Sequence, residues 1–573
     1  MKKSKKILLG MTLALILSTV SFGVGKSSTK SASNITNMST NNGNTLEAGP
    51  NIALVETQAG KIQGYIRNGI ETFRGVPYAT AERFMEPKKL EKWSGVKLTV
   101  KNGPISMQNP YNPFKSFFFS GPELTMSEDP LNLNIWTPST TDNKKRAVMV
   151  WIHGGGHQAG SSMESYAYDG ENLSKKGDIV VVSVNHRLNS VGNLDLSSYG
   201  GKYKNTSNLE VKDMVASLEW IRDNITKFGG DPNNVTLFGE SGGGGKILTL
   251  MGTPAAKGLF HKGILQSGAA ETIGMSLPTT ATSKRVAELT LQNLGIKPSE
   301  IDKIQTVPFV KLEEASNKAM AQTAKEQNLK LATNGQIGLL WSPIVDGKYI
   351  PESTINNNKF TELAKDIPMI IGSNLTEFET IDAGFFSDSN IGEAQSNNKN
   401  NWSAVQIENK IKEKYGNKAE EIKEAFRKAY PDRNIADVLY VDSLVRTPAL
   451  KTAKIKSEQG GAPVYNYIFS WDTLVMGGFA MSYHTSEISF VMNNAKNYEF
   501  ATGGGKEALA LADKMSQAWI NFAKTGNPNV TGQPRWETYN RKNGATMIFD
   551  NKLELKHNHD LELMKILVPD YEF

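Results

Sequence analysis

The 573-residue sequence predicts an α/β fold: a large, mainly parallel, doubly wound sheet with helical insertions capping it. Three observations predict it. Short apolar, β-branched or aromatic runs bounded by turn residues recur along the chain; helical periods separate them; and 148–150 and 180–182 are apolar on both faces, the mark of central strands covered on each side.

In chain order, 52–57 and 61–66 flank Gly60 as a hairpin, which makes the start of the sheet antiparallel. Strands follow at 131–136, 147–152, 179–185, 235–238, 263–266, 369–371 and 464–469. Residues 209–228 place Met214, Leu218, Ile221, Ile225 and Phe228 on one helical face. Residues 506–524 do the same with Leu509, Ala512, Met515, Trp519 and Phe522. Two stretches, around 272–340 and 385–460, are mostly helical and amphipathic and read as insertions; within them the Asn-rich 387–401 reads as a surface loop. No internal repeat is visible.

Composition narrows the function. With 39% hydrophobic and 21% charged residues the chain is an ordinary globular protein, neither disordered nor a multi-span membrane protein. It has no cysteine, so disulfides, thiolate metal sites and a Cys nucleophile are excluded. Lys2, Lys3, Lys5 and Lys6 precede an apolar stretch and the small residues around Phe22, the pattern of a cleaved export signal over 1–25. That apolar run is short of the roughly 20 residues a membrane span needs, so no stable anchor is expected. Removing the leader's four lysines takes the net charge from +6 to about +2, which gives no reason to expect nucleic acid as a partner. Residues 26–49, rich in Ser, Thr and Asn, read as a flexible linker, and 51–573 as one domain.

Gly239-Glu240-Ser241-Gly242-Gly243 sits between a strand and a helix. A serine on such a tight turn presents its hydroxyl, and the following helix start offers amides and a positive dipole end. Ser241 is the candidate nucleophile. On a fold of this type the acid and then the histidine follow the serine in sequence. Of the later histidines, His261 leaves no strand end for an acid before it, and His557 and His559 lie in a charged stretch that reads as solvated surface. His484, in a loop of small and polar residues beyond 464–469, remains as the base. The acid belongs after 369–371: Glu377 leads, with Glu379, Asp382 and the earlier Asp346 as rivals. A second glycine cluster, His153-Gly154-Gly155-Gly156-His157, follows the strand 147–152. With Gly242 it supplies backbone N–H groups for a developing oxyanion, chiefly those of Gly155 and Gly156.

These residues bring a family into view. Residues 228–241, FGGDPNNVTLFGES, resemble the nucleophile signature of the type-B carboxylesterases, cholinesterase-like α/β-hydrolases that include bacterial para-nitrobenzyl esterases. Similar ordered matches occur at 73–79 (FRGVPYA), 127–129 with 131–134, 185–188 (NHRL), 258–262 (GLFHK) and 518–528 (AWINFAKTGNP). The resemblance implies an α/β-hydrolase fold, with Glu377 as the triad acid, His484 as the base and Gly155, Gly156 and Gly242 as oxyanion donors. It implies a serine carboxylic ester hydrolase acting on small-molecule esters, with no cofactor and no metal; a non-catalytic adhesion module on the same fold is the other reading. The chain departs from the family where Pro130 replaces a common cysteine and where Gly242 replaces an alanine at the head of a glycine run, which predicts a looser helix start. Glu240 and Glu487 read as buried structural acids, His157 as either a substrate contact or filling, and 117–119 (FFF) as a pocket lining or loop packing.

Overall fold

A computed structural model describes residues 38–39, 45–109, 121–269, 277–331, 336–382 and 398–571. Residues 1–25, read as an export signal, most of 26–49, read as a linker, and Phe117–Phe119 lie outside those residues. A 13-stranded sheet runs through the molecule. Its strands, in chain order, are β1 (Met38–Ser39), β2 (Thr45–Glu47), β3 (Tyr65–Arg67), β4 (Ile70–Pro77), β5 (Asn132–Thr137), β6 (Arg146–Ile152) and β7 (Val180–Val184). They continue with β8 (Gly230–Glu240), β9 (Lys262–Gln266), β10 (Met369–Asn374), β11 (Val464–Phe469), β12 (Ala545–Phe549) and β13 (Glu554–His557). The spatial order is β1-β2-β3-β4-β5-β7-β6-β8-β9-β10-β11-β12-β13. From β7 to β12 every pairing is parallel; β1 to β5 and the last strand, β13, pair antiparallel. The predicted hairpin about Gly60 forms in a separate three-stranded sheet.

The inner strands are apolar throughout because helices cover both faces. Val148, Val150 and Ile152 of β6 pack with helices α2 (Leu209–Asn224) and α3 (Gly242–Met251). Met149 and Trp151, the alternate residues, face α1 (Glu171–Gly177) and α9 (Lys506–Thr525). The two predicted insertions carry α4 (Thr280–Asn293) and α5 (Phe309–Glu326), then α6 (Ala404–Tyr415), α7 (Ala419–Ala429) and α8 (Arg446–Glu458). Helices α4 and α5 build an apolar cluster of their own around Val286, Leu289, Leu312 and Met320.

Four details differ from the sequence reading. Leu509, assigned to the buried face of α9, is exposed; Ala508 and Leu511 take its place, so the buried stripe is rotated by about one residue. Asn398 and Lys399, placed in a surface loop, are buried, because Lys399 pairs with Asp437 of the neighbouring turn. The His559 side chain is enclosed rather than solvated, edge-on to Tyr430 beside Asp560. Strands absent from the expected set include β4, whose Glu, Arg, Gly and Pro hide it, and the five-residue apolar β12.

Arg187, fully buried after β7, grips Asp213 of α2 through two hydrogen bonds of 2.6 and 2.7 Å and donates to the Met85 carbonyl at 2.7 Å. Breaking one side of such a pair strands a charge in the interior. Asp213→Asn is expected to destabilise the fold by about 3–5 kcal/mol, read as a lower urea midpoint.

Candidate active site

Ser241, Glu377, His484 and the glycines at 154–156 all lie beyond the carboxyl ends of parallel strands, where an open α/β sheet offers its crevice. Ser241 follows β8 directly, in a strained backbone conformation (φ 53°, ψ −125°) that residues other than glycine rarely adopt. Its N–H donates to the Gln266 carbonyl at 2.8 Å, tying the turn to β9. The glycines after it are required by close packing. A Cβ on Gly242 would lie 2.6 Å from the Gly156 Cα, one on Gly243 would collide with the Ile152 carbonyl, and one on Gly244 would reach 2.8 Å from the Gly268 Cα. The helix start expected to be loose is therefore buried and clamped against β6 and the loop after β9.

Glu377 and His484 meet as the sequence predicts. His484 Nδ1 lies 2.6 Å from Glu377 Oε2, and both side chains are buried. The other carboxylate oxygen, Oε1, accepts hydrogen bonds from Ser267 Oγ and from the Asn374 N–H, each at 2.6 Å. Main chain reinforces the pair: the His484 N–H donates to the Glu377 carbonyl at 3.0 Å. The rivals sit elsewhere. Asp346 accepts three backbone N–H groups in its own turn, Glu379 faces Lys414 at a half-exposed position, and the Asp382 side chain lies outside the described residues.

Ser241 and His484 line one cavity of about 410 Å³ with Gly154, Gly155, Gly156, Glu240, Glu164 and Phe378. Phe378 lies against the His484 ring, with centroids 4.1 Å apart. From the first insertion, Glu313 and Asn317 of α5 complete the wall. Glu240 is buried as expected, and it also approaches the histidine: its Oε1 stands 3.1 Å from His484 Nε2, at ion-pair distance but out of line for a hydrogen bond. Burial and the neighbouring carboxylates Glu487 and Glu377 push Glu240 well above the usual carboxylate range, which favours its neutral form. Glu487 accepts from Gln266 and Asn374, fixing the loop that carries His484. His157 does not face the cavity; its Nδ1 bonds Glu210 at 2.9 Å.

Sequence reasoning missed Ser267, Asn374 and Glu164. The first two sit one residue past β9 and on the last residue of β10, strand-end positions of the kind that carry the triad, but a lone Ser or Asn has no motif around it. Glu377→Gln is expected to lower kcat by about 10³–10⁴-fold with little change in KM, since the histidine loses the anion that stabilises its charged form. Ser267→Ala, which removes one hydrogen bond to that carboxylate, is expected to cost about tenfold on the same assay. Burial pushes Glu164 up to about 7, so its side chain on the cavity wall is neutral at acid pH and gains negative charge as the pH rises through neutrality. KM for an ester carrying a carboxylate is expected to rise over that range in the native enzyme and to rise less in Glu164→Gln.

Known proteins resemble this chain along nearly its whole length. The model of the carboxylesterase family matches residues 51–566. The para-nitrobenzyl esterase of Bacillus subtilis (strain 168) is 33% identical over 529 residues, which cover 90% of this chain and 98% of the relative. The phenmedipham hydrolase of Pseudarthrobacter oxydans is 30% identical, over 86% of this chain and 94% of that one. Among solved structures, an esterase of Clostridium hathewayi described as hydrolysing aliphatic aromatic polyesters superposes with a TM-score of 0.80 at 34% identity, covering 91% of this chain and 99% of its own. The chain belongs to the carboxylesterase family and is a carboxylic ester hydrolase.

Proposed function

We propose that the protein is an exported serine esterase that cleaves small to medium apolar esters through an acyl-enzyme, with Ser241, His484 and Glu377 as its catalytic triad. The observation that carries this reading is the 2.6 Å contact between His484 Nδ1 and Glu377, on a histidine that shares one cavity with Ser241. In the first half-reaction Ser241 Oγ bonds to the ester carbonyl carbon while His484 Nε2 takes the hydroxyl proton. The carbonyl oxygen becomes an oxyanion held by the N–H groups of Gly155, Gly156 and Gly242. His484 passes its proton to the alcohol oxygen as that C–O bond breaks. Water then adds to the acyl carbon with His484 again as base, and collapse releases the acid and restores Ser241. Glu377 holds the imidazole in one tautomer and stabilises its charged form. Only ester and water are consumed.

A cavity of about 410 Å³ is the size of a site for a small ligand, and Phe378 and Tyr168 give it apolar surface. Export rests on the leader at 1–25. No helix among the described residues is long and apolar enough to cross a membrane.

A fluorophosphonate probe is expected to label the native protein and not Ser241→Ala, and that variant is expected to lose p-nitrophenyl acetate hydrolysis by about 10⁴-fold or more. Retention of wild-type turnover by Ser241→Ala would overturn the mechanism. A p-nitrophenyl acyl series is expected to peak at short to medium chains. An aliphatic aromatic polyester, the substrate class of the Clostridium hathewayi esterase, serves as the comparison arm. Protein secreted from cells is expected to begin near Lys26.

A further inference from the structure

Beneath the glycine loop lies a buried charge that neither the triad nor the family motif uses. Lys246 of α3, five residues after Ser241, is fully buried. Its Nζ donates to the carbonyl oxygens of His153 at 3.1 Å and Gly154 at 3.5 Å. Glu210 Oε1 stands 3.7 Å away, an ion-pair separation, and Glu210 Oε2 is held by His157 Nδ1 at 2.9 Å and Asn193 Nδ2 at 2.7 Å. His186, stacked on His153 with ring centroids 4.7 Å apart, closes the cluster. Burial lowers Lys246 to about 8, against the attraction of Glu210 and Glu164. A fully buried lysine is costly and needs partners such as these.

The geometry points to a use for it. In a trans peptide unit the carbonyl and the N–H point in opposite directions. The carbonyl of Gly154 and the N–H of Gly155 belong to one such unit. A carbonyl drawn towards buried Lys246 therefore turns the Gly155 N–H the other way, to the cavity side. The other two donor units are pinned by backbone alone. The Gly155 carbonyl, partner of the Gly156 N–H, accepts from Gln158 and Ala159 at 3.3 and 3.2 Å. The Ser241 carbonyl, partner of the Gly242 N–H, accepts from Gly245 at 3.3 Å. The Gly154 carbonyl instead depends on side chains, the Lys246 ammonium and the His153 ring, whose Nδ1 lies 3.0 Å away.

We propose that Lys246 is a positioning residue of the ester hydrolysis: its buried ammonium aims and polarises the Gly154–Gly155 peptide so that the Gly155 N–H is set to receive the oxyanion. The inference rests on the assignment of Gly155 as an oxyanion donor in the proposed mechanism. A charged partner on the carbonyl strengthens the amide at the other end of the unit. Its contribution belongs to the transition state, where the oxyanion exists, and not to the bound ester.

Lys246→Met keeps the chain length and removes the charge. With p-nitrophenyl butyrate it is expected to lower kcat by about 10–100-fold while KM stays within about twofold. Affinity for an alkyl trifluoromethyl ketone, whose adduct with Ser241 carries an oxyanion, is expected to fall by the same factor. A folded Lys246→Met with wild-type kcat and ketone affinity would overturn the proposal. Because the chain has no cysteine, Lys246→Cys introduces its sole thiol. That thiol, alkylated in the unfolded protein, can be given an aminoethyl group, which restores the ammonium, or a neutral propyl group of equal length. The aminoethyl form is expected to regain kcat and ketone affinity and the propyl form to remain impaired; equal behaviour of the two forms overturns the proposal, whatever the folding of the methionine variant. Fluorophosphonate labelling of the wild-type protein separates the two levels. Labelling with no effect at Lys246 defeats this inference alone, whereas absence of labelling defeats the serine mechanism on which it rests.

Discussion

The site depends on backbone meeting backbone. The turn that carries Ser241 is pressed against the end of β6 and the loop beyond it so closely that Gly242 touches Gly156 and Gly243 touches Ile152, with no space for a side chain between them. Helices on both faces of the sheet hold the two strands in register, Ile152 opposite Gly239, and so fix how far the serine stands from the glycine loop. A side chain at that contact would push the serine turn and the glycine loop apart. The energy stored in Ser241's backbone conformation is offset by this surrounding packing.

The sheet was legible in the sequence because central parallel strands are apolar on both faces and need no partner to declare themselves. Strands 147–152, 179–185, 263–266 and 464–469 fall within a residue or two of their observed bounds. Strand β4 was hidden, since its role is set by pairing with β5 and its composition, with a glycine and a proline, speaks for a loop. The candidates Ser241, Glu377 and His484 could be nominated because chain order and strand ends constrain such positions, and because a serine turn of this kind needs glycines that stand out in composition. The supporting shell could not be read. Ser267, Asn374 and the Glu210–Lys246 pair come together only when separate strand ends and helices are packed side by side, and no local pattern records which of many Ser, Asn or Lys residues will be there.

Buried acid is unusually dense here. Glu240, Glu377, Glu487, Glu164 and Asp442 are all withdrawn from solvent around one histidine. Burial raises Glu240, Glu487, Glu164 and Asp442, which favours their neutral forms; Glu377 has its two oxygens occupied by Ser267, Asn374 and His484. Of these acids, Glu377 is the one whose carboxylate is aligned with the Nδ1 of the imidazole.

Glu377 and His484 are linked twice, once by side chains and once by the His484 N–H on the Glu377 carbonyl, with Tyr483 bridged to Glu377 beside it. Two loops joined in this way are placed as a unit: a substitution that displaces either loop moves acid and imidazole together relative to Ser241 before it parts them.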